Sequence, residues 1–169
     1  MLLLATGIVG AALAGLAPAL AAPPPLGQPQ GRPILRIGGK ITVHNAGDEA
    51  VFDVAMLDAI GRRTFSTSTP WTNGVHTWEG VPLAALMQAV GAYGTQIRAI
   101  ALNDYVADIP MAGIADEGGI LAIRRDGKLM PISDKGPLFV LYPFDQDVRL
   151  QQQSVFMRCA WQVARLVVL

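Results

Sequence analysis

Two stretches of the chain repeat apolar residues at helical spacing. In Val51-Phe-Asp-Val-Ala-Met-Leu-Asp-Ala-Ile60, Asp53 is the expected N-cap and Gly61 the expected stop. The second runs through Ala84-Ala-Leu-Met-Gln-Ala-Val90, with Pro82 in its first turn and Gly91 at its end. Elsewhere the apolar runs are short and suit strands. Ile34 to His44 predicts one or two strands broken at Gly38-Gly39, and Arg62 to Thr69 predicts another. Asn73-Gly74 marks a turn. Ile97 to Leu102 and Tyr105 to Pro110 flank Asn103-Asp104 as a hairpin-like pair. Leu121 to Arg124 and Lys128 to Met130 bracket Arg125-Asp126-Gly127, where Asp-Gly is a strong hairpin signal. Leu138 to Tyr142 suits a buried strand, and Trp161 to Leu169 a closing one. The predicted class is α+β, mixed and strand-rich, with no internal repeat.

Composition adds compartment and excludes some partners. The 169 residues fit one domain, apolar enough to bury a sizeable core. Thirteen Lys and Arg balance thirteen Asp and Glu, so neither a nucleic-acid face nor a polybasic membrane patch is expected. Residues 1–22 carry no charge and end in Ala19-Leu-Ala21, the small-residue spacing a signal peptidase accepts. They read as a signal peptide, although no Lys or Arg precedes the apolar run. The protein is then periplasmic or secreted, with no membrane insertion after cleavage. Residues 23–33, rich in Pro, Gly and Gln, read as an extended linker, and residues 34–169 as the folded domain.

Candidate chemistry is sparse. Cys159 is the lone cysteine and sits among apolar neighbours, so no internal disulfide forms and the thiol reads as structural. His44 and His76 lie far apart without cysteines nearby, a poor metal site; His44 reads as a turn residue and His76 as a loop residue bonded to backbone. Ser68, His76 and Asp104 make a triad only on paper, because no serine has nucleophile-elbow spacing. The paired acids Asp116-Glu117 and Asp145 with Asp147 read as solvated turns, and Gly38-Gly39 and Gly118-Gly119 are too short for a phosphate loop. Trp71, Trp78 and Trp161 suit the core better than a ligand pocket.

One constellation is more specific. Thr64-Phe-Ser-Thr-Ser-Thr-Pro-Trp71 is followed by Thr77-Trp-Glu-Gly-Val-Pro-Leu83, which opens a helix. Asn103-Asp-Tyr105, the Leu121 to Leu129 hairpin, Gly136-Pro137 before an apolar strand, and Trp161 before a terminal strand follow in order. In this order the motifs resemble the molybdopterin-binding domain of the sulfite oxidase family, over about Ile34 to Leu169. The resemblance implies that fold. It also implies a shallow pocket lined by Ser66, Thr67, Ser68, Thr69, Asn103, Asp104, Tyr105 and the Asp134-Lys135-Gly136 turn.

The departures fall at positions of chemistry. Where the resembling family carries its metal-ligating cysteine, this strand offers Ser66 to Thr69, and a hydroxyl is a poor substitute for a soft thiolate. An arginine expected after the Gly-Pro turn is replaced by Leu138 and Phe139, and the lysine before the late tryptophan is Ala160. No Arg-Arg occurs in residues 1–30, whereas the resemblance implies a twin-arginine signal for the family's exported enzymes. The expectation is a non-catalytic or vestigial domain without cofactor, acting as a periplasmic binding or sensing module toward a small ligand or an envelope protein. The alternative is an active molybdenum-cofactor oxidoreductase with a Ser or Thr oxygen in place of the thiolate. A purely structural envelope protein is a third reading.

Overall fold

A computed structural model describes residues 23–169; the expected signal peptide lies outside the described residues. Ten strands, β1 (Leu35–Gly39), β2 (Ala50–Phe52), β3 (Arg63–Thr69), β4 (Thr72–Pro82), β5 (Gln96–Ala101), β6 (Val106–Pro110), β7 (Ile120–Arg125), β8 (Lys128–Leu129), β9 (Phe139–Leu141) and β10 (Val163–Val168), form two sheets. The helices are α1 (Val54–Ile60), α2 (Leu83–Ala89) and α3 (Gln153–Phe156). The architecture is α+β and strand-rich, as the short apolar runs require.

The first sheet has the order β2-β1-β10-β5-β6. The closing strand is therefore internal: β10 runs parallel to β1, with Ile37 opposite Leu166, and antiparallel to β5. In β5, Ile97, Ala99 and Ala101 are buried on alternate positions, the period of a strand with one face on the core. The second sheet has the order β3-β4-β7-β8, and β9 also pairs with β7. Ile120, Leu121, Ala122 and Ile123 of β7 are all buried in succession, which suits a strand covered on both faces.

The helix signals hold at their ends. Asp53 caps α1 by accepting the Met56 N–H at 2.9 Å, and Gly61 follows the last residue. The run beginning at Val51 is not helical throughout, because Ala50–Phe52 pairs with β1 instead. Pro82 sits at the N-cap of α2, one position earlier than expected. Seven residues are too few for a helix to persist alone, so packing of Leu83, Leu86 and Met87 into the core holds α2. The strand signal from Ile34 ends at Gly39; beyond it, Lys40 N–H donates to Val168 O and Thr42 N–H to Val90 O.

Two details position the motifs. Gly80 of Trp78-Glu-Gly-Val-Pro-Leu83 lies against β7 so closely that a Cβ there would meet Leu121 O at 2.1 Å. Arg124 of β7 forks onto Asp58 of α1, at 2.9 and 2.8 Å, and reaches Glu79 of β4 at 2.9 Å. This pairing holds the Asp58 carboxyl below the ordinary carboxylate range and locks α1 to the second sheet. Residues 23–33 contain no helix or strand, yet they are tied down. Gln30 and Gly31 N–H both donate to Asp53 Oδ2, at 2.8 and 2.7 Å, and Asn45 Nδ2 donates to Gly27 O at 2.8 Å. None of the helices described is long and apolar enough to cross a membrane.

Candidate functional site

The strand that carries the candidate residues Ser66 to Thr69 is β3, an edge strand paired only with β4. Its alternation turns Phe65, Thr67 and Thr69 inward and leaves Ser66 exposed. Each hydroxyl already has a partner. Ser66 Oγ lies 3.1 Å from Thr77 Oγ1 across the hairpin. Thr67 Oγ1, fully buried, donates to Ser68 O at 3.1 Å and accepts the Asp145 N–H at 3.0 Å. Ser68 gives both its N–H and its hydroxyl to Asp145, at 2.6 and 2.8 Å. Thr69 Oγ1 lies 2.7 Å from Thr72 Oγ1 and accepts the Trp71 N–H at 3.2 Å. Asp145, read from the sequence as a solvated turn, is an exposed turn residue and also anchors this edge.

Apolar rings stand behind the strand. Trp78 Nε1 donates to Thr67 O at 3.3 Å, and Phe139 packs edge-on against Trp78 with centroids 5.6 Å apart. Trp71 meets Phe139, Phe144, Phe156 and Trp161, all with centroids between 5.9 and 6.5 Å. Trp78 and Phe139 are fully buried; Trp71 and Trp161 are half-buried rather than core.

The remaining predicted residues gather around Trp161. Tyr105, after the Asn103-Asp104 turn, lies parallel to the Trp161 ring at 6.4 Å, with 10° between the planes. Lys135 Nζ sits 5.1 Å from the Trp161 centroid, a cation over an aromatic ring. Gln162 joins the two turns: its carbonyl accepts the Leu102 N–H at 2.9 Å, and its N–H donates to Lys135 O at 3.0 Å. Asp104 and Lys135 both adopt left-handed backbone, and Asn103 Oδ1 accepts the Tyr105 N–H at 3.2 Å. At Gly136 a Cβ would meet Met130 O at 2.0 Å, so only glycine fits the turn.

The ten predicted residues thus divide into the β3 edge and a face around Trp161, with the Trp71 ring between them. They do not line a deep cavity. A cleft of 1020 Å³ lies elsewhere, between α1, α2 and the Pro23 to Gly27 segment, and a 260 Å³ notch surrounds Glu117 and Arg158. Neither contains any of the ten. Glu117, also read as a solvated turn, receives two bonds from Arg158 Nη1, at 2.8 and 2.9 Å. Sequence reasoning passed over Trp71, Trp161 and Asp145; the signal available was the Pro70-Trp71 step directly after β3 and the isolated Trp161 before β10.

The donor set does not fit molybdenum. The hydroxyls of β3 are engaged with protein partners, apolar rings back the strand, and the thiol of Cys159 is buried beside Val155 O at 3.8 Å. Burial pushes that thiol far up, which keeps it protonated. Among the described residues, no group of three His, Cys, Asp or Glu could hold a metal ion.

No protein-family model and no curated protein sequence matches the chain. Among solved structures, the sulfane dehydrogenase SoxCD from Paracoccus pantotrophus is similar, with 18% identity and a TM-score of 0.56. The match covers 79% of this chain and 37% of that one, so the chain spans little more than a third of the protein it resembles. At this identity the likeness establishes a shared fold: the chain has the strand-rich α+β architecture found within that dehydrogenase.

Proposed function

We propose that this domain is a binding or sensing module built on an oxidoreductase-type fold and working without a redox metal. The observation that carries the reading is the state of β3. At the position where the resembling family places a thiolate, every hydroxyl from Ser66 to Thr69 is hydrogen-bonded within the protein, and Phe139 and Trp78 are packed behind them. Its binding face is the Trp161 surface, with Tyr105 and Lys135 at its rim and Asn103, Asp104 and Gly136 shaping the two turns. Half-buried aromatics beside a cation suit a small planar ligand. The charge-free residues 1–22 support export to the periplasm, where a membrane-bound protein would receive the signal.

Expression in a host that makes the molybdenum cofactor, followed by molybdenum per mole of protein by mass spectrometry, tests the first half. The expected result is background metal; near-stoichiometric metal overturns the reading. Titration with pterin, followed by tryptophan fluorescence, tests the second half. Saturable quenching that Trp161→Ala and Tyr105→Ala each weaken about tenfold is expected, the order of one lost aromatic stack.

A further inference from the structure

His76 lies on β4 opposite Thr67 and is held from both sides. Its Nδ1 is 2.7 Å from Asp126 Oδ2, and its Nε2 is 2.9 Å from Asn73 O. Neither partner can donate: Asn73 offers a carbonyl, and Asp126 is a carboxylate that also accepts the Thr77 N–H at 3.0 Å. A neutral imidazole has one N–H and satisfies one of these acceptors; only the imidazolium satisfies both. The two acceptors belong to separate segments. Asn73 lies in the bulge that Asn73-Gly74 forms near the start of β4, two residues after Trp71, and Asp126 lies in the turn between β7 and β8.

We propose that His76 is a proton-dependent latch that fastens the Asn73-Gly74 bulge of β4 to the Asp126-Gly127 turn. It is closed when the ring carries two protons and half-released when it carries one. Its charged surroundings are Asp126 and Arg125 on the β7–β8 hairpin, and Asp134 and Lys135 on the turn that follows. From β3 the cross-strand neighbour is the uncharged Thr67. The His76 side chain is 26% exposed, so protons reach it without unfolding. The latch bears on the proposed binding face, because the bulge it fastens begins two residues after Trp71, whose ring contacts Trp161 at 5.9 Å.

Amide hydrogen exchange of residues 72–77, corrected for the intrinsic effect of pH, tests this at about pH 5 and pH 8, the range over which histidines change charge. The expected result is about fivefold more opening at the higher pH, the weight of one ordinary hydrogen bond. His76→Gln should exchange with the same opening at both pH values. Asp126→Asn retains an acceptor for Thr77 and should also flatten the response, which guards against a folding defect in the first variant. Equal opening of the wild-type bulge at both pH values overturns the latch, as does a wild-type response in His76→Gln.

Discussion

Phe139 meets Trp78 edge-on, with ring centroids 5.6 Å apart and planes at 89°, and both side chains are fully buried. Trp78 in turn donates to the Thr67 carbonyl, so two aromatic rings brace β3. Phe139 and the hydroxyl-bearing strand β3 are therefore linked in space through Trp78.

Phe139→Ala removes a ring from that packing and leaves a cavity against Trp71, Trp78 and Trp161. The expected loss is about 3–5 kcal/mol in urea unfolding, the range for such truncations in a closed core. A loss below about 1 kcal/mol would show that the surrounding rings collapse into the space.

A thiolate introduced on β3 is not enough to hold a metal. Ser66→Cys and Thr67→Cys, each expressed in a cofactor-making host, should purify with no more molybdenum than the wild type. Stoichiometric metal in either single variant would mean that the rings behind β3 do not obstruct the cofactor.

Asp53 accepts N–H groups from Gly31, Met56 and Gln30, and these bonds hold its carboxyl below the ordinary value, Gly31 first. A carboxylate whose folded pKa is depressed adds stability above its unfolded pKa of about 3.9, and that stability is lost as pH falls through the folded value. Unfolding midpoints measured from pH 6 downward should therefore fall more steeply below about pH 4 in the wild type than in Asp53→Asn. Asp53→Ala should lose about 0.5–2 kcal/mol from the cap alone. It should also expose residues 23–33 to protease, because two of the bonds that tie them down end on this carboxylate.

Tyr142 is fully buried and its hydroxyl has no hydrogen-bond partner among the described residues. Burial, with Cys159 next in effect, pushes its pKa far above the usual tyrosine value and keeps the group neutral. Tyr142→Phe removes an unsatisfied polar atom and keeps the ring, so stability should rise by about 1 kcal/mol in urea unfolding. A clear loss would reveal a bond to the neighbouring Arg158.

Local chemistry made much of the fold legible from the residues. Asp53 and Gly61 end α1 through bonds and backbone freedom that involve only near neighbours. Asp126-Gly127 turns the β7–β8 hairpin with both residues at positive φ, the conformation this pair favours. Gly80 and Gly136 stand in motifs whose meaning is steric, and each proves to leave no room for a Cβ. The absence of a cysteine from β3 was equally plain.

What the one-dimensional string could not settle were relationships between distant segments. Asp145 is the exposed turn residue that the sequence indicates, yet its bond to Ser68, 77 positions away, has no local signal. The three tryptophans looked alike, yet folding buries Trp78 completely and leaves Trp71 and Trp161 half open. Lys135 reaches the face of Trp161 only because Gln162 joins two turns that come from different parts of the chain. Spacing and capping act over a few residues and are written in the sequence; which hydroxyl is already engaged, and which ring remains exposed, depends on long-range packing and emerges only when the sheets are assembled.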